Sequence, residues 1–306
     1  MSLLRYALAV ALVGVISLAV MAWLWPINDD FRSQNPAWNG TGQLSELPGV
    51  EPLEKLADLP AETAGTTFIV VPYLAFGPDE LAALDGFLEA GGTLIVANDY
   101  GYGNQILEHL GVPGRFSGEA LLDPLHRYKN DWLPLITRYE GDALTQGVAS
   151  LVLNHATTLE GVAAADVLAW SSSFSFLDLD GNGEWNEAEP QGPFPVITSQ
   201  PLAQGRLVLV ADPSLFINGM EELGDNLAFA YNIASNAPGG LFIDQSHLPP
   251  SSLHKAKDVL EVFRNAAVTP AGRLGLVLLP LLIIPLLLWA GKKDSRSNGR
   301  GDRDDS

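Results

Sequence analysis

Two apolar segments, 3–25 and 274–290, bracket the chain, and nothing between them is long and oily enough to cross a bilayer. The first carries Arg5 as its only charged side chain. From Ala7 to Trp25 it runs without charge, close to the ~20 residues that a hydrocarbon core of roughly 30 Å demands. Trp23 and Trp25 fall where indoles favour the headgroup layer, and Pro26 ends the helix. A cleaved signal peptide is the rival reading, with Arg5 as its basic start and Val20-Met21-Ala22 as the cleavage site. The apolar run continues past that site, which favours an uncut anchor. The second segment holds no charge, and Pro280 and Pro285 are tolerable in a membrane helix. Lys292, Lys293, Arg296, Arg300 and Arg303 follow it, against Arg264 and Arg273 ahead of it. The bias of basic residues towards the cytoplasm then places both termini inside. The expected organisation is an N-terminal transmembrane anchor (1–26), an extracytoplasmic α/β domain (27–272), a C-terminal transmembrane helix (273–291) and a charged cytoplasmic tail (292–306). That describes a two-pass protein of the cytoplasmic (inner) membrane.

The portion between the anchors holds ten Lys and Arg against 32 Asp and Glu, a net charge of −22. Such a surface repels nucleic-acid phosphates and anionic lipid, and no basic stripe offsets it, so nucleic acid is excluded as a partner. It suits solubility in a salty exterior, or attraction of cations and basic partners. A salt-adapted organism with a generally acidic proteome accounts for it equally well. There is no cysteine, which removes disulfides, thiolate zinc sites and a Cys nucleophile together. Stability must come from core burial, for which one domain of this length suffices.

Four near-continuous apolar runs read as strands of a sheet covered on both faces: Thr67 to Val71, Thr93 to Ala97, Leu207 to Ala211 and Leu241 to Ile243. Between the first two, Pro78 to Ala90 has Pro at a helix start, acids in the first turn and a Leu81/Leu84/Leu88 stripe, stopped by Gly91 and Gly92. Strand, helix, strand at this spacing is a βαβ unit. Further helices are expected over Asn104 to Leu110, Asp225 to Ser235 and Ser251 to Val268. The stretch 112–200 is richer in Gly, Pro and aromatics, with extended pieces at Leu151 to Asn154, Val167 to Trp170 and Phe194 to Thr198. It reads as a β-rich insertion in the α/β core.

Several of these segments also carry a family resemblance. They are Ser33-Gln34-Asn35-Pro36-Ala37-Trp38-Asn39-Gly40-Thr41, Gly91 through Gly101, Phe116-Ser117-Gly118 through Leu122-Asp123-Pro124, Ala169-Trp170-Ser171-Ser172, and Asp212-Pro213-Ser214-Leu215-Phe216-Ile217-Asn218. Together they resemble uncharacterised prokaryotic membrane proteins grouped as a domain of unknown function. The resemblance implies a flavodoxin-like ectodomain similar to class I glutamine amidotransferases, a mainly parallel sheet flanked by two transmembrane helices. It also implies a neighbourhood, because relatives are encoded near MoxR-type AAA+ ATPases, which points to a membrane assembly as partner. Amidotransferase chemistry is not implied: those enzymes use a Cys on a strand-to-helix turn, and this chain has neither a Cys nor a G-x-S-x-G elbow.

The sharpest local motif is Asp178-Leu-Asp180-Gly-Asn182-Gly183-Glu184-Trp-Asn186-Glu-Ala-Glu189, which fits D-x-[DN]-x-[DN]-G-x5-E at every specified position. Calcium takes six to eight hard oxygens. Here Asp178, Asp180 and Asn182 offer side-chain oxygens, Glu184 its carbonyl, Asn186 a water-bridged ligand and Glu189 both carboxylate oxygens. Pro190 resists an exiting helix, so the loop is expected in a β setting, with Ca2+ in a structural role. An acidic turn that needs no ion is the plainer account.

In doubly wound sheets, ligands bind beyond the carboxyl ends of the strands. Those ends carry Asn98 and Asp99, Asp212 and Ser214, and Asp244 with His247, while Asn35, Asn39 and Tyr73 approach from loops. Capping of local turns competes as the explanation for each. His126 and His155 stand alone, and no H-E-x-x-H is present. The expectation is a non-catalytic, membrane-anchored envelope protein whose ectodomain binds a ligand or partner. The alternative is a metal-dependent hydrolase of cell-surface glycan or peptide, using Asp99, Asp212 and His247.

Overall fold

The four apolar runs become neighbours in one eight-stranded sheet. In the computed structural model, which describes residues 3–275, 277, 278 and 281, its strands are β1 (Val50–Leu53), β2 (Thr67–Val70), β3 (Thr93–Ala97), β4 (Arg138–Tyr139), β5 (Val167–Trp170), β6 (Pro195–Leu202), β7 (Gly205–Val210) and β8 (Leu241–Asp244). Their order is β1-β8-β2-β3-β7-β6-β5-β4. The first five run parallel, and the last three continue the sheet antiparallel. The result is a mixed α/β fold on a mainly parallel sheet.

The helices are α1 (Leu3–Leu24), α2 (Pro78–Glu89), α3 (Gly103–His109), α4 (Asn226–Ser235) and α5 (Ser252–Val268). In α2, Pro78 takes the first position, and the Glu80 carboxylate accepts from the Gly77 N–H at 2.7 Å, closing the exposed start of the helix. Leu81, Leu84, Phe87 and Leu88 are buried, each such side chain contributing about 2 kcal/mol by leaving water. Phe68, Leu94, Ile95 and Val208 fill the sheet's centre with essentially no exposure.

The β-rich stretch 112–200 lies within one compact unit, Asn28–Pro249. It supplies β4, β5 and most of β6 to the central sheet and adds small pairs such as Ala120–Leu122 with Phe176–Asp178. β1 was not expected, since Val50-Glu51-Pro52-Leu53 has neither alternation nor a continuous apolar run. It forms at the sheet's edge, where Pro52 needs no ladder partner on its free side.

A second unit is made of described residues from 3–27 and 250–281. Here α1 and α5 touch, and the Arg264 guanidinium sits 5.3 Å from the Trp23 ring. The expected pair of flanking transmembrane helices is not found: among the described residues, no helix is long and apolar enough to cross a membrane. α5 carries Lys255, Lys257, Asp258, Glu261 and Arg264. Most of the expected second segment, 274–290, and the whole tail, 292–306, lie outside the described residues.

Candidate functional site

Three neighbouring parallel strands, β2, β3 and β7, deliver their carboxyl ends to one place. After β2 the chain turns at Pro72, and the Tyr73 hydroxyl reaches both oxygens of Asp99, at 3.0 and 2.9 Å. Phe31 lies against the Tyr73 ring with centroids 5.4 Å apart. After β3, Asp99 also accepts from the Tyr100 N–H. Gly101 is required here: a Cβ would sit 2.5 Å from the Pro72 carbonyl oxygen and 2.8 Å from the Asn98 side chain. After β7, Asp212 is fully buried. One of its oxygens accepts from the Ser214 N–H at 2.7 Å and the other from the Asn154 N–H at 2.6 Å.

Electrostatics binds these groups together. Burial pushes Asp212 up to about 7, against the pull of the Asn154 and Ser214 N–H groups and with help from the charge of Asp99. Burial raises Asp99 too, opposed by the Tyr100 N–H, the Tyr73 hydroxyl and the charge of His155. Tyr73 is raised well beyond the usual phenol range by burial and by Asp99. Tyr100, half exposed, is pushed up to about 12 by burial and then by Asp99, Asp212, Glu119 and Asp178. Two carboxyl groups that disfavour each other's ionisation can accept hydrogen bonds from a ligand hydroxyl or ammonium, or hold a proton near neutral pH.

The rim comes from the β-rich insertion. Asn154 bonds Ser214 through its side-chain amide at 3.4 Å. His155 adopts a left-handed backbone (φ 55°) and stacks on Trp132 with centroids 4.5 Å apart. A non-glycine residue in that region is uncommon and marks a backbone held by its surroundings. His155, Trp132 and Asn154 were not among the expected site residues. The one sequence signal for them was an Asn-His pair directly after the apolar piece 151–153.

Of the expected cleft residues, Tyr73, Asp99, Asp212 and Ser214 therefore meet. The others do different work. Asn98 accepts from the Gly103 N–H at 3.1 Å, at the start of α3. Asn35 and Asn39 brace their own loop: Asn35 donates to the Asp29 carbonyl and to Asn39, and Asn39 donates to the Asn28 carbonyl. Asp244 and His247 form a separate buried cluster. His247 Nδ1 lies 2.7 Å from Asp244, its Nε2 lies 3.4 Å from Glu80, and its ring stacks on Phe76 with centroids 3.4 Å apart. The expected grouping of Asp99, Asp212 and His247 round one metal is not what the residues form.

In the acidic loop, Asp178 accepts from the N–H groups of Gly181, Asn182 and Gly183, at 2.8, 3.1 and 2.9 Å. Glu189 folds back to accept from Leu179 and Asn186, both at 3.0 Å. Oxygens of Asp178, Asp180 and Glu189 gather within 4.8 Å of one another. Asn182 and Asn186 both turn their amides towards Asp180. The donor set is all hard oxygen, the kind that suits a hard divalent cation such as Mg2+, Ca2+ or Mn2+.

The family model described as a domain of unknown function (DUF4350) matches residues 33–234. The chain belongs to this family. The match spans β1 to α4 and so contains the whole carboxyl-edge site and the acidic loop of this DUF4350 protein. No curated protein matches the chain. Among solved structures it is similar to the mmIFT52 N-terminal domain, at 15% identity and TM-score 0.42, covering 54% of this chain and 76% of that one. It is also similar to a β-galactosidase from Bacillus circulans sp. alkalophilus, at 15% identity and TM-score 0.36, covering 57% of this chain but 23% of the enzyme. A putative ThuA-like protein from Bacteroides uniformis follows at 11% identity and TM-score 0.30, covering 59% and 96%. Likenesses this distant say nothing of what the chain does.

Proposed function

We propose that this DUF4350 protein is a membrane-attached binding module whose ligand sits at the carboxyl edge of β2, β3 and β7. The observation that carries the reading is the convergence of Tyr73, Asp99, Tyr100 and Asp212 from three separate strands, beside the stacked Trp132 and His155. Capping alone explains Asp212, but not a tyrosine hydroxyl held on a second buried carboxylate with an exposed aromatic next to it. A flavodoxin-like, amidotransferase-like ancestry agrees with a site at this edge. Attachment is supported by the uncharged run 7–25 of the sequence, close to the ~20 residues that a hydrocarbon core demands. An extracytoplasmic location and a MoxR-associated assembly as partner complete the proposal.

The test is binding by the full chain in mild detergent, titrated with envelope glycan fragments and short peptides. Asp99→Asn is expected to weaken binding about tenfold or more while leaving the melting temperature within a few degrees. Unchanged affinity in this variant overturns the site. Hydrolysis of the same probes that disappears in Asp212→Ala would instead favour the hydrolase alternative, for which the near-neutral titration of Asp212 is the supporting observation.

Calcium is proposed as a brace for loop 178–189. With millimolar Ca2+ against chelator, and a site of roughly 10⁻⁴ M affinity, the melting temperature is expected to rise by several degrees. Asp180→Asn should abolish most of the shift. No shift in the unaltered chain retires the ion.

A further inference from the structure

The exposed hairpin tip Leu125-His126-Arg127-Tyr128-Lys129-Asn130 is used by neither site. All six residues are exposed, while Asp123 below them is fully buried. Leu125 is 65% exposed and Tyr128 45%. This exposure is built rather than frayed. The Asp123 carboxylate accepts from the Leu125 and His126 N–H groups and from the Ser172 hydroxyl. Tyr128 N–H bonds the Leu133 carbonyl and Leu135 N–H the His126 carbonyl. His126 stacks on Phe174, itself 45% exposed, with planes 8° apart.

The chemistry of the tip is opposite to that of its surroundings. Within a region of net charge −22, these six positions hold no acid, and Arg127, Lys129 and His126 flank the apolar side chains. Arg127 is paired with Asp131 at the base, and the Lys129 ammonium lies 5.1 Å from the Tyr128 ring. The other arginines of unit 28–249 are engaged elsewhere: Arg32, Arg115 and Arg206 in internal hydrogen bonds, and Arg138 over Trp170.

We propose that this tip is a shallow contact with a lipid surface bearing acidic headgroups; the proposal rests on the membrane attachment put forward above. Leu125 and Tyr128 would enter the headgroup layer while Lys129 and Arg127 meet phosphate and carboxylate oxygens. A convex tip of six residues is too small to bury the roughly 800 Å² per side of a stable protein contact. The N–H groups of Leu125, His126 and Tyr128 are satisfied from within, which lowers the cost of entry into a less polar layer. The acidic bulk of the domain is screened from the bilayer beyond a Debye length of about 8 Å.

Because the chain has no cysteine, Leu125→Cys can carry one environment-sensitive dye, with Leu227→Cys on α4 as the exposed reference. The full chain is placed in neutral-lipid nanodiscs and titrated with vesicles of phosphatidylcholine and phosphatidylserine carrying headgroup nitroxides. The dye at position 125, and not at 227, should shift to the blue and be quenched. Adding Lys129→Gln should raise the lipid concentration for half effect about fivefold. Equal behaviour at 125 and 227, or no quenching at 125, overturns the contact. Co-elution of chain and nanodisc reads the attachment separately, so either idea can fail alone.

Discussion

Glu221 is 1% exposed, and neither carboxylate oxygen has a partner in hydrogen-bonding geometry among the described residues. Burial raises it from 4.5 to about 7, with the Leu44 N–H opposing and the charge of Glu46 adding to the rise. The sign follows from linkage. The folded state favours the protonated acid, so stability is full below 4.5, falls as pH climbs towards 7 and stays low above it. Glu221→Met should therefore stabilise by about 2 kcal/mol near pH 8 and by little near pH 5, read from denaturant midpoints at both pH values. An equal gain at both would mean that the folded carboxyl titrates with its ordinary value, so that burial does not raise it. Little of this was legible in the sequence, where Glu221 is one acid among many. The placing of Asp99 and Asp212 at one edge was legible, because strands of near-continuous apolar residues end at them and the ends of parallel strands share that edge, whereas Tyr73 was read as approaching from a loop. His155 was not, since its left-handed backbone and its stacking on Trp132 come from chain segments that meet only in the fold.

Among elements, β8 and α2 are joined through His247. Burial alone would lower this imidazole, but its hydrogen bond and attraction to Asp244, and then Glu80, raise it overall. The charged form is thus the folded one. Its stabilisation is present below 6.5 and is lost as pH rises through the elevated folded value. Asp244→Asn should cost about 3 kcal/mol at mildly acidic pH, because it leaves a buried imidazolium without its carboxylate. The loss should shrink above the folded value; a pH-independent loss would mean that Asp244 serves only as a hydrogen-bond acceptor for Ser246 and the local backbone. The elements themselves follow local signals closely. β3 and α2 lie where continuous apolar residues, Pro78 and the leucine stripe put them. β4, β5 and β6 show what local signals miss. Each was at most a short extended piece, and their union with the parallel strands depends on the pairing of β6 with β7, which no single segment declares.

At the scale of the whole molecule, the excess of acids is the property least explained by any one site. Between 27 and 272 the chain carries −22, and three of its six arginines are spent on internal hydrogen bonds: Arg32 on the Gln245 and Leu248 carbonyls, Arg115 on those of Val112 and Gly114, Arg206 on Asp142. Ten basic residues cannot offset 32 acids over this stretch, and the mutual repulsion of the excess carboxylates opposes folding most at low ionic strength. Raising salt from about 0.05 to 1 M shortens the screening length to roughly 3 Å and should lift the melting temperature by about 5–10 °C. The measurement belongs in chelator, so that loop 178–189 contributes no ion-specific shift, and sodium and potassium chlorides should act alike. Sucrose, which strengthens burial without screening, should not reproduce the initial steep rise at low salt. A melting temperature indifferent to salt would mean that the acids are spaced widely enough for water alone to separate them, and repulsion would then be no factor in where this protein is stable.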